Sequence, residues 1–359
     1  MALFSFLKRR EGLIGVDLGS SGIRLAELDL SRKKPRLLNI GMASYPSDVF
    51  SGQTVAKPEI VAEQISQLFA VNGLVGRMVV LGIPSASVFT KRIQVSKMDY
   101  EELGEYIKIE SASFLPPNVG STKIDFQVLG ETASGLLDVM VVAVKEDILE
   151  NFKMCLTSVE IDVGIVDLDC FALMNIFELS HPEYLDKTCA LLDLGSRYST
   201  ILITRNGLPL FNGNVALGGK SITEGISIAL GLTTSEAEKA KKASETDLQK
   251  PELAQVKEAL ISANEQFVNE VSRQINFFAA AAGIGQGISA IFLAGGMSTQ
   301  YGLAEAFRKK TKIEVNQLQP FRGIDAGAEF DETRIAELSP FVTAAMGLAL
   351  RTADDKIII

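Results

Sequence analysis

The sequence predicts an α/β protein: a duplicated strand–turn–strand unit around a shared cleft, with a smaller strand–helix–strand–strand module inserted in its first half. Three observations predict it. The tetrapeptide Asp-Leu-Gly-Ser occurs at 17–20 and again at 193–196, offset by 176 residues. Each copy lies between apolar runs with strand character. Between about 84 and 164 the pattern changes to that of a compact unit with its own helix and hairpin.

The first copy, residues 12–28, reads as a strand delivering Asp17, a Gly/Ser turn and a return strand through Arg24. The second, residues 189–203, repeats this around Asp193, Gly195 and Ser196. Gly and Ser let backbone N–H groups approach a phosphate closely, and such turns form anion-binding nests. An aspartate at each turn can hold Mg²⁺ or its waters, so two opposed turns suit one metal-triphosphate. Each turn alone is equally an ordinary hairpin; the pairing is the signal.

Within the first half, 88–95 reads as a strand and Met98-Asp99 begins a helix that Pro116-Pro117 stops. Residues 123–129 and 136–144 then form a hairpin, and a helix at about 146–158 leads back to 161–168. This module has no metal-ligand cluster and no nucleophile–base pair, so partner binding suits it better than chemistry. In the second half, Gly218-Gly219 precede a helical run at 222–230. Glu238 and Lys241 share a face of a helix at 235–242, as a solvated pair or a nucleoside clamp. An amphipathic stripe over 256–282 is core-facing. Strand 288–294 ends in Gly295-Gly296-Met297, a junction that can accept a base or ribose-phosphate against bare backbone.

Composition bounds the function. With 359 residues, 47% hydrophobic and 22% charged, the chain can bury a sizeable core in two or three domains. Its 35 Lys and Arg against 44 Asp and Glu give a net charge of −9, which argues against nucleic acid as the main partner. Cys155, Cys170 and Cys189 have no CxxC spacing, so neither a disulfide scaffold nor a zinc site is expected, and a reducing compartment is. The single histidine, His181, precedes Pro182 and reads as a loop residue. Residues 1–10 place their basic residues after a short apolar run, unlike a secretory signal, and read as a frayed or docked terminus. No apolar run reaches the length of a membrane span. The expected location is the cytoplasm.

The two Asp-Leu-Gly-Ser turns, the Leu-Ala-Gly-Gly-Met turn at 293–297 and the closing helix at 341–350 resemble the phosphate, adenosine and connecting motifs of the actin/Hsp70/sugar-kinase ATPases. The resemblance implies duplicated actin/Hsp70-like (ribonuclease H-like) domains around a nucleotide cleft. The inserted unit is similar to the SHS2-type module of the cell-division actin homologue FtsA and, within that group, to the PilM family of type IV pilus assembly. Residues 101–103, 108–110, 124–130, 138–143 and 166–169 carry that match. By resemblance, residues 1–83, 165–187 and 338–359 form lobe I, 84–164 the inserted subdomain and 188–337 lobe II.

The resemblance also assigns roles. Asp17, Gly19, Ser20, Ser21 and Arg24 match the first phosphate loop, with Arg24 where relatives usually place Lys. Asp193, Gly195 and Ser196 match the second loop, and Gly218 with Gly219 the loop before the adenosine-side helix. Glu238 and Lys241 match the face beside adenine and ribose, and Gly295, Gly296 and Met297 the adenosine loop. Asp17 and Asp193 would hold Mg directly or through water. Asp169 lies where many relatives orient the attacking water, and equally where a helix N-cap belongs. Arg197 and Tyr198 are bulky for a second phosphate loop, so ATP binding with slow or absent hydrolysis is expected. The implied partners are the cytoplasmic N-terminal peptide of the membrane protein PilN, docked beside residues 84–164, and other pilus alignment-complex proteins. The tail at 351–359 is too short for an FtsA-type amphipathic helix, so attachment to the inner face of the inner membrane is expected through partners. An FtsA-like filament protein and a sugar-kinase-like phosphotransferase are the alternatives.

Overall fold

The computed structural model describes residues 13–46, 48–115, 120–243, 245–281, 283–284, 287–352 and 355. Residues 1–12, Pro116-Pro117 and most of the tail beyond 352 lie outside them, and with them the expectations for both termini.

Chain order builds two five-stranded sheets of one design. In the first, β1 (Ile14–Gly19), β2 (Gly22–Asp29) and β3 (Arg36–Ser44) form an antiparallel meander. A short hairpin, β4 (Phe50–Ser51) and β5 (Thr54–Val55), precedes helix α1 (Pro58–Val71). Strand β6 (Val79–Ile83) then pairs parallel to β1. The inserted module follows: β7 (Val88–Val95), α2 (Tyr100–Phe114), β8 (Thr122–Glu131) and β9 (Leu137–Lys145). Its sheet order is β7-β9-β8, all antiparallel. Helix α2 starts at a capping box: Asp99 accepts from the Glu102 N–H, and Glu102 accepts from the Asp99 N–H. Helix α3 (Glu146–Thr157) returns the chain to β10 (Val163–Leu168), which completes the first sheet in the order β10-β6-β1-β2-β3.

Helix α4 (Asp169–Ser180) crosses to the second sheet. There β11 (Cys189–Leu194), β12 (Ser199–Arg205) and β13 (Leu208–Val215) repeat the meander. Helices α5 (Gly219–Leu230), α6 (Thr234–Lys241) and α7 (Ala254–Ala281) follow. Strand β14 (Ala290–Ala294), helix α8 (Leu303–Thr311) and strand β15 (Glu314–Gln317) close the order β13-β12-β11-β14-β15. Helices α9 (Glu332–Leu338) and α10 (Thr343–Leu348) are the last elements among the described residues. The sheets therefore match strand for strand, with β1 answering to β11, β2 to β12, β3 to β13 and β6 to β14.

Helices α4 and α10 lie between the two sheets. Leu173, Phe177, Ala345 and Met346 share one buried cluster with Ala26 and Leu28 of the first sheet and Leu191 and Leu202 of the second. On its outer face the first sheet packs against Ile65 and Phe69 of α1 and Phe152 of α3. The second packs against Ile226 of α5 and Phe267 and Val271 of α7. Burial of these faces supplies most of the stabilisation, at roughly 25 cal/mol per Å² of apolar surface.

One expectation changes and one sharpens. The closing helix is shorter than 341–350, with regular turns only over Thr343–Leu348. His181 lies in the loop after α4, as expected, but it is a buried loop residue. It caps the C-terminus of α4 at 4% exposure, stacks on Phe177 and lies edge-on to Phe292. Burial, followed by the Arg322 charge, lowers its pKa to about 4, so the ring is neutral and structural. Cys155, Cys170 and Cys189 are buried free thiols.

Candidate functional site

The parallel strands of each half end on the same side, where ligands of open α/β sheets are usually held. A cavity of about 570 Å³ opens there between the halves. The first turn contributes Asp17, Gly19, Ser20, Ser21 and Arg24, and the second Asp193, Gly195 and Ser196. Gly219, Glu238 and Lys241 line the α5–α6 side; Gly295, Gly296 and Met297 come from the turn after β14, and Asp169 from the head of α4. Motifs scattered over 280 residues of sequence thus face one space. Gly218 is the exception. It is buried against Gly195 and Ser196, where an added Cβ would lie 2.6 Å from both carbonyl oxygens.

Backbone bonds bring the second-half motifs together. The Gly219 N–H donates to the Gly195 carbonyl at 3.0 Å and the Lys220 N–H to that of Ser196 at 2.9 Å. The Met297 N–H donates to the Leu194 carbonyl at 3.2 Å. Gly295 adopts φ +82°, which favours glycine, and its Cα abuts the Asp193 carboxylate too closely for any side chain.

The cleft holds an excess of carboxylate. Burial raises the Asp17 carboxyl above its ordinary range, with Arg24 pulling it back. Asp193 is pushed up to about 6, by burial and then by the charge of Asp17. Asp169 reaches about 7, by burial and then by Asp193, against hydrogen bonds from Ser85. Mutual repulsion in a low-dielectric cleft is met by protonation or by a bound cation. Oxygen donors of this kind suit Mg²⁺, which takes one or two carboxylates and completes its shell with water and phosphate oxygens. Among the described residues no group of three or more His, Cys, Asp or Glu side chains is placed to hold a metal by itself.

Arg24 is folded over the first turn. It donates to the Gly22 carbonyl at 3.0 Å and the Ser21 hydroxyl at 2.8 Å, and lies 3.7 Å from Asp17. Its Nε is buried without a hydrogen-bond partner. Lys241 uses its three donors internally, on Gly219 O, Thr223 Oγ1 and Glu238 Oε2 at 2.6–3.0 Å. Burial pushes the Glu238 carboxyl up, but the bonds from Lys241 and Thr223 outweigh it and the net shift is downward. The pair is therefore a helix-face salt bridge and a cavity wall at once.

Asp169 is not a helix N-cap. It is the first helical residue of α4, and Leu168 occupies the cap position. Its Oδ1 accepts the Ser85 N–H at 2.9 Å and the Ser85 hydroxyl, while the Ser85 oxygen accepts the Cys170 N–H. Ser85 is 1% exposed and was not legible as a site residue, because 84 residues separate it from Asp169. Thr200 was also missed, although the 176-residue offset puts it opposite Asp193 as Arg24 is opposite Asp17. Arg197 turns away from the cavity to Asp48, which Lys220 holds at 2.6 Å. Tyr198 lines the cavity.

Known proteins share this architecture. A PilM–PilN type IV pilus biogenesis complex aligns with a TM-score of 0.83 and 24% identity over 96% of this chain and 99% of that one. The ethanolamine utilization protein EutJ of Carboxydothermus hydrogenoformans aligns at 0.57 and 13% identity, over 94% and 89% of the two chains. MreB5 of Spiroplasma citri bound to ADP aligns at 0.53 and 11%, over 94% and 95%. The duplicated actin-like fold expected from the sequence is thus the one present. Residues 15–353 match the family of type IV pilus assembly protein PilM. This chain therefore belongs to the PilM family of type IV pilus assembly proteins.

Proposed function

We propose that the chain is a cytoplasmic, nucleotide-binding assembly scaffold of the pilus machine. In this reading it binds Mg-ATP between its halves and docks the N-terminal peptide of PilN beside residues 84–164. The observation that carries the nucleotide part is the meeting of Asp17 and Asp193, each at the end of an equivalent strand, in one glycine-lined cavity. Backbone amides of the turns at 19–21 and 195–196 would cradle the phosphates, and Arg24 would add the cation. Asp17 and Asp193 would hold magnesium, which neutralises phosphate charge when bound. Gly219, Glu238 and Gly295 to Met297 would flank the nucleoside, with Gly218 buttressing the second turn.

Phosphoryl transfer depends on placing water and metal tightly. Asp169 is the carboxylate that would orient a water, with one oxygen already committed to Ser85. Tyr198 occupies wall space that smaller residues would leave open. We therefore assign slow hydrolysis or none. The units 1–83 with 165–187 and 338–359, 84–164, and 188–337 would act as lobe I, docking module and lobe II. Among the described residues no helix is long and apolar enough to cross a membrane. Attachment at the inner membrane would then run through PilN and other alignment-complex proteins. A related MreB5 binds ADP and a related PilM is found with PilN, and both facts favour this reading.

A labelled PilN amino-terminal peptide titrated with the full chain tests the docking part by fluorescence anisotropy. Saturable binding supports it. No binding with or without Mg-ATP would overturn it.

A further inference from the structure

The inserted sheet enters and leaves through lobe I, yet it also touches lobe II. Five residues close a ring around this junction. Asp169 at the head of α4 holds Ser85 through its backbone N–H and its hydroxyl. Ser85 opens the short turn that feeds β7. On β7 the Thr90 hydroxyl donates to Asn212 Oδ1 of β13, in the second half. The Asn212 amide reaches back to the Cys170 sulfur at 4.0 Å. The Cys170 N–H is capped by the Ser85 hydroxyl at 3.3 Å, and the ring is closed.

The joints differ in strength. Ser85 is buried, and three hydrogen bonds hold it to the head of α4. Among the described residues, the side-chain hydrogen bond that joins β7 to β13 is between half-buried Thr90 and Asn212. The module is therefore fixed to α4 and only latched to the second half. The Ser85 turn also lies against β13, so a change in spacing between the halves acts both on that contact and on the Thr90–Asn212 bond, the weaker of the joints. Asp169, at the other end of the ring, lines the cavity and feels the charge of Asp193.

We infer that this ring couples the cleft to the inserted sheet: a ligand that fixes the spacing of the two halves fixes Thr90 against Asn212, and so sets the edge of β7. The inference rests on the nucleotide reading above. Coupling of this kind needs two sites and a contact that differs between two states, and the latch supplies that contact. It is reciprocal, so a partner seated on the inserted sheet would change affinity in the cleft by the same factor.

Hydrogen exchange of the full chain, read by mass spectrometry with and without Mg-ATP, tests it beside calorimetric titration of the same samples. In the parent, Mg-ATP should slow exchange of the β7 amides that bond β9 by roughly fivefold or more, the lower end of typical couplings. Thr90→Val keeps the branched shape but removes the donor, and should lose that slowing while still binding Mg-ATP saturably, weakened by no more than the same factor. Thr90→Ser restores the hydroxyl and should restore the response. Equal slowing in Thr90→Val, or parent protein that binds Mg-ATP with unchanged β7 exchange, would overturn the inference while leaving the nucleotide reading intact. No binding heat would overturn the nucleotide reading and this inference with it.

Discussion

The two hairpins that face each other across the cleft have the same strands and different chemistry. In the first, Asp17 lies opposite Arg24, and the turn between the last paired residues is Ser20-Ser21. In the second, Asp193 lies opposite Thr200, and the turn is the longer Gly195–Tyr198. Thr200 donates to Asn214 at 3.0 Å, so the second carboxylate has no cation opposite it on its hairpin. The consequence is electrostatic: after burial, Arg24 is the main influence on Asp17, whereas at Asp193 its pull ranks behind the push of Asp17 and that carboxyl is driven to about 6. Duplication supplied the scaffold, and divergence at one register position divided the labour. One turn brings positive charge; the other brings a carboxylate that is poorly satisfied until something cationic enters.

That asymmetry sets the order of expected effects. Arg24→Ala removes the cation folded over the first turn and leaves Asp17 uncompensated, so Mg-ATP binding should weaken on the order of 10- to 100-fold, as for a charged hydrogen bond. Calorimetry on the variant checks this. Thr200→Val, at the equivalent position, should change binding by no more than about threefold, because it removes one neutral bond, to Asn214, and no charge. Equal losses in the two variants would show that the hairpins are alike.

The pH dependence of the ligand-free protein comes next. Asp193 and Asp169 have folded values near 6 and 7, raised above the ordinary 3.8. Their stabilising share is complete below about pH 4 and is lost as pH rises through those values. The melting temperature should therefore fall between about pH 4 and 7. Asp193→Asn should flatten that fall, since it removes one group and relieves Asp169. The smallest effect belongs to the rim. Asp48 is exposed, and its bridges to Lys220 and Arg197 are surface pairs worth about 0–1 kcal/mol. Asp48→Asn should shift nucleotide affinity less than about twofold, and less still at high salt.

The strands, the duplication and the glycine turns were legible because they are local and periodic: Asp17 and Asp193 announce themselves by a repeated tetrapeptide between apolar runs. The strand at 88–95 and the capping box of Asp99 that starts α2 were equally local. What escaped was tertiary. Asp169 looked like a cap because helices start with such residues, but its partner Ser85 is chosen by the fold. His181 reads as a loop residue beside Pro182, and nothing local to it announces that Phe177 and Phe292 enclose the ring. Arg197 reads as a phosphate-loop residue by position, while Asp48 of the opposite half takes its charge. Thr200 was within reach, had the offset been carried from the carboxylates to the residues opposite them.

Titration calorimetry of the full chain with ATP, in magnesium and again in EDTA, tests the central claim most directly. Paired carboxylates facing one cavity predict one saturable site in magnesium and binding weakened at least about tenfold without it, since the phosphates would then meet uncompensated negative charge. Equal affinity in EDTA, or no heat in either buffer, would contradict the account.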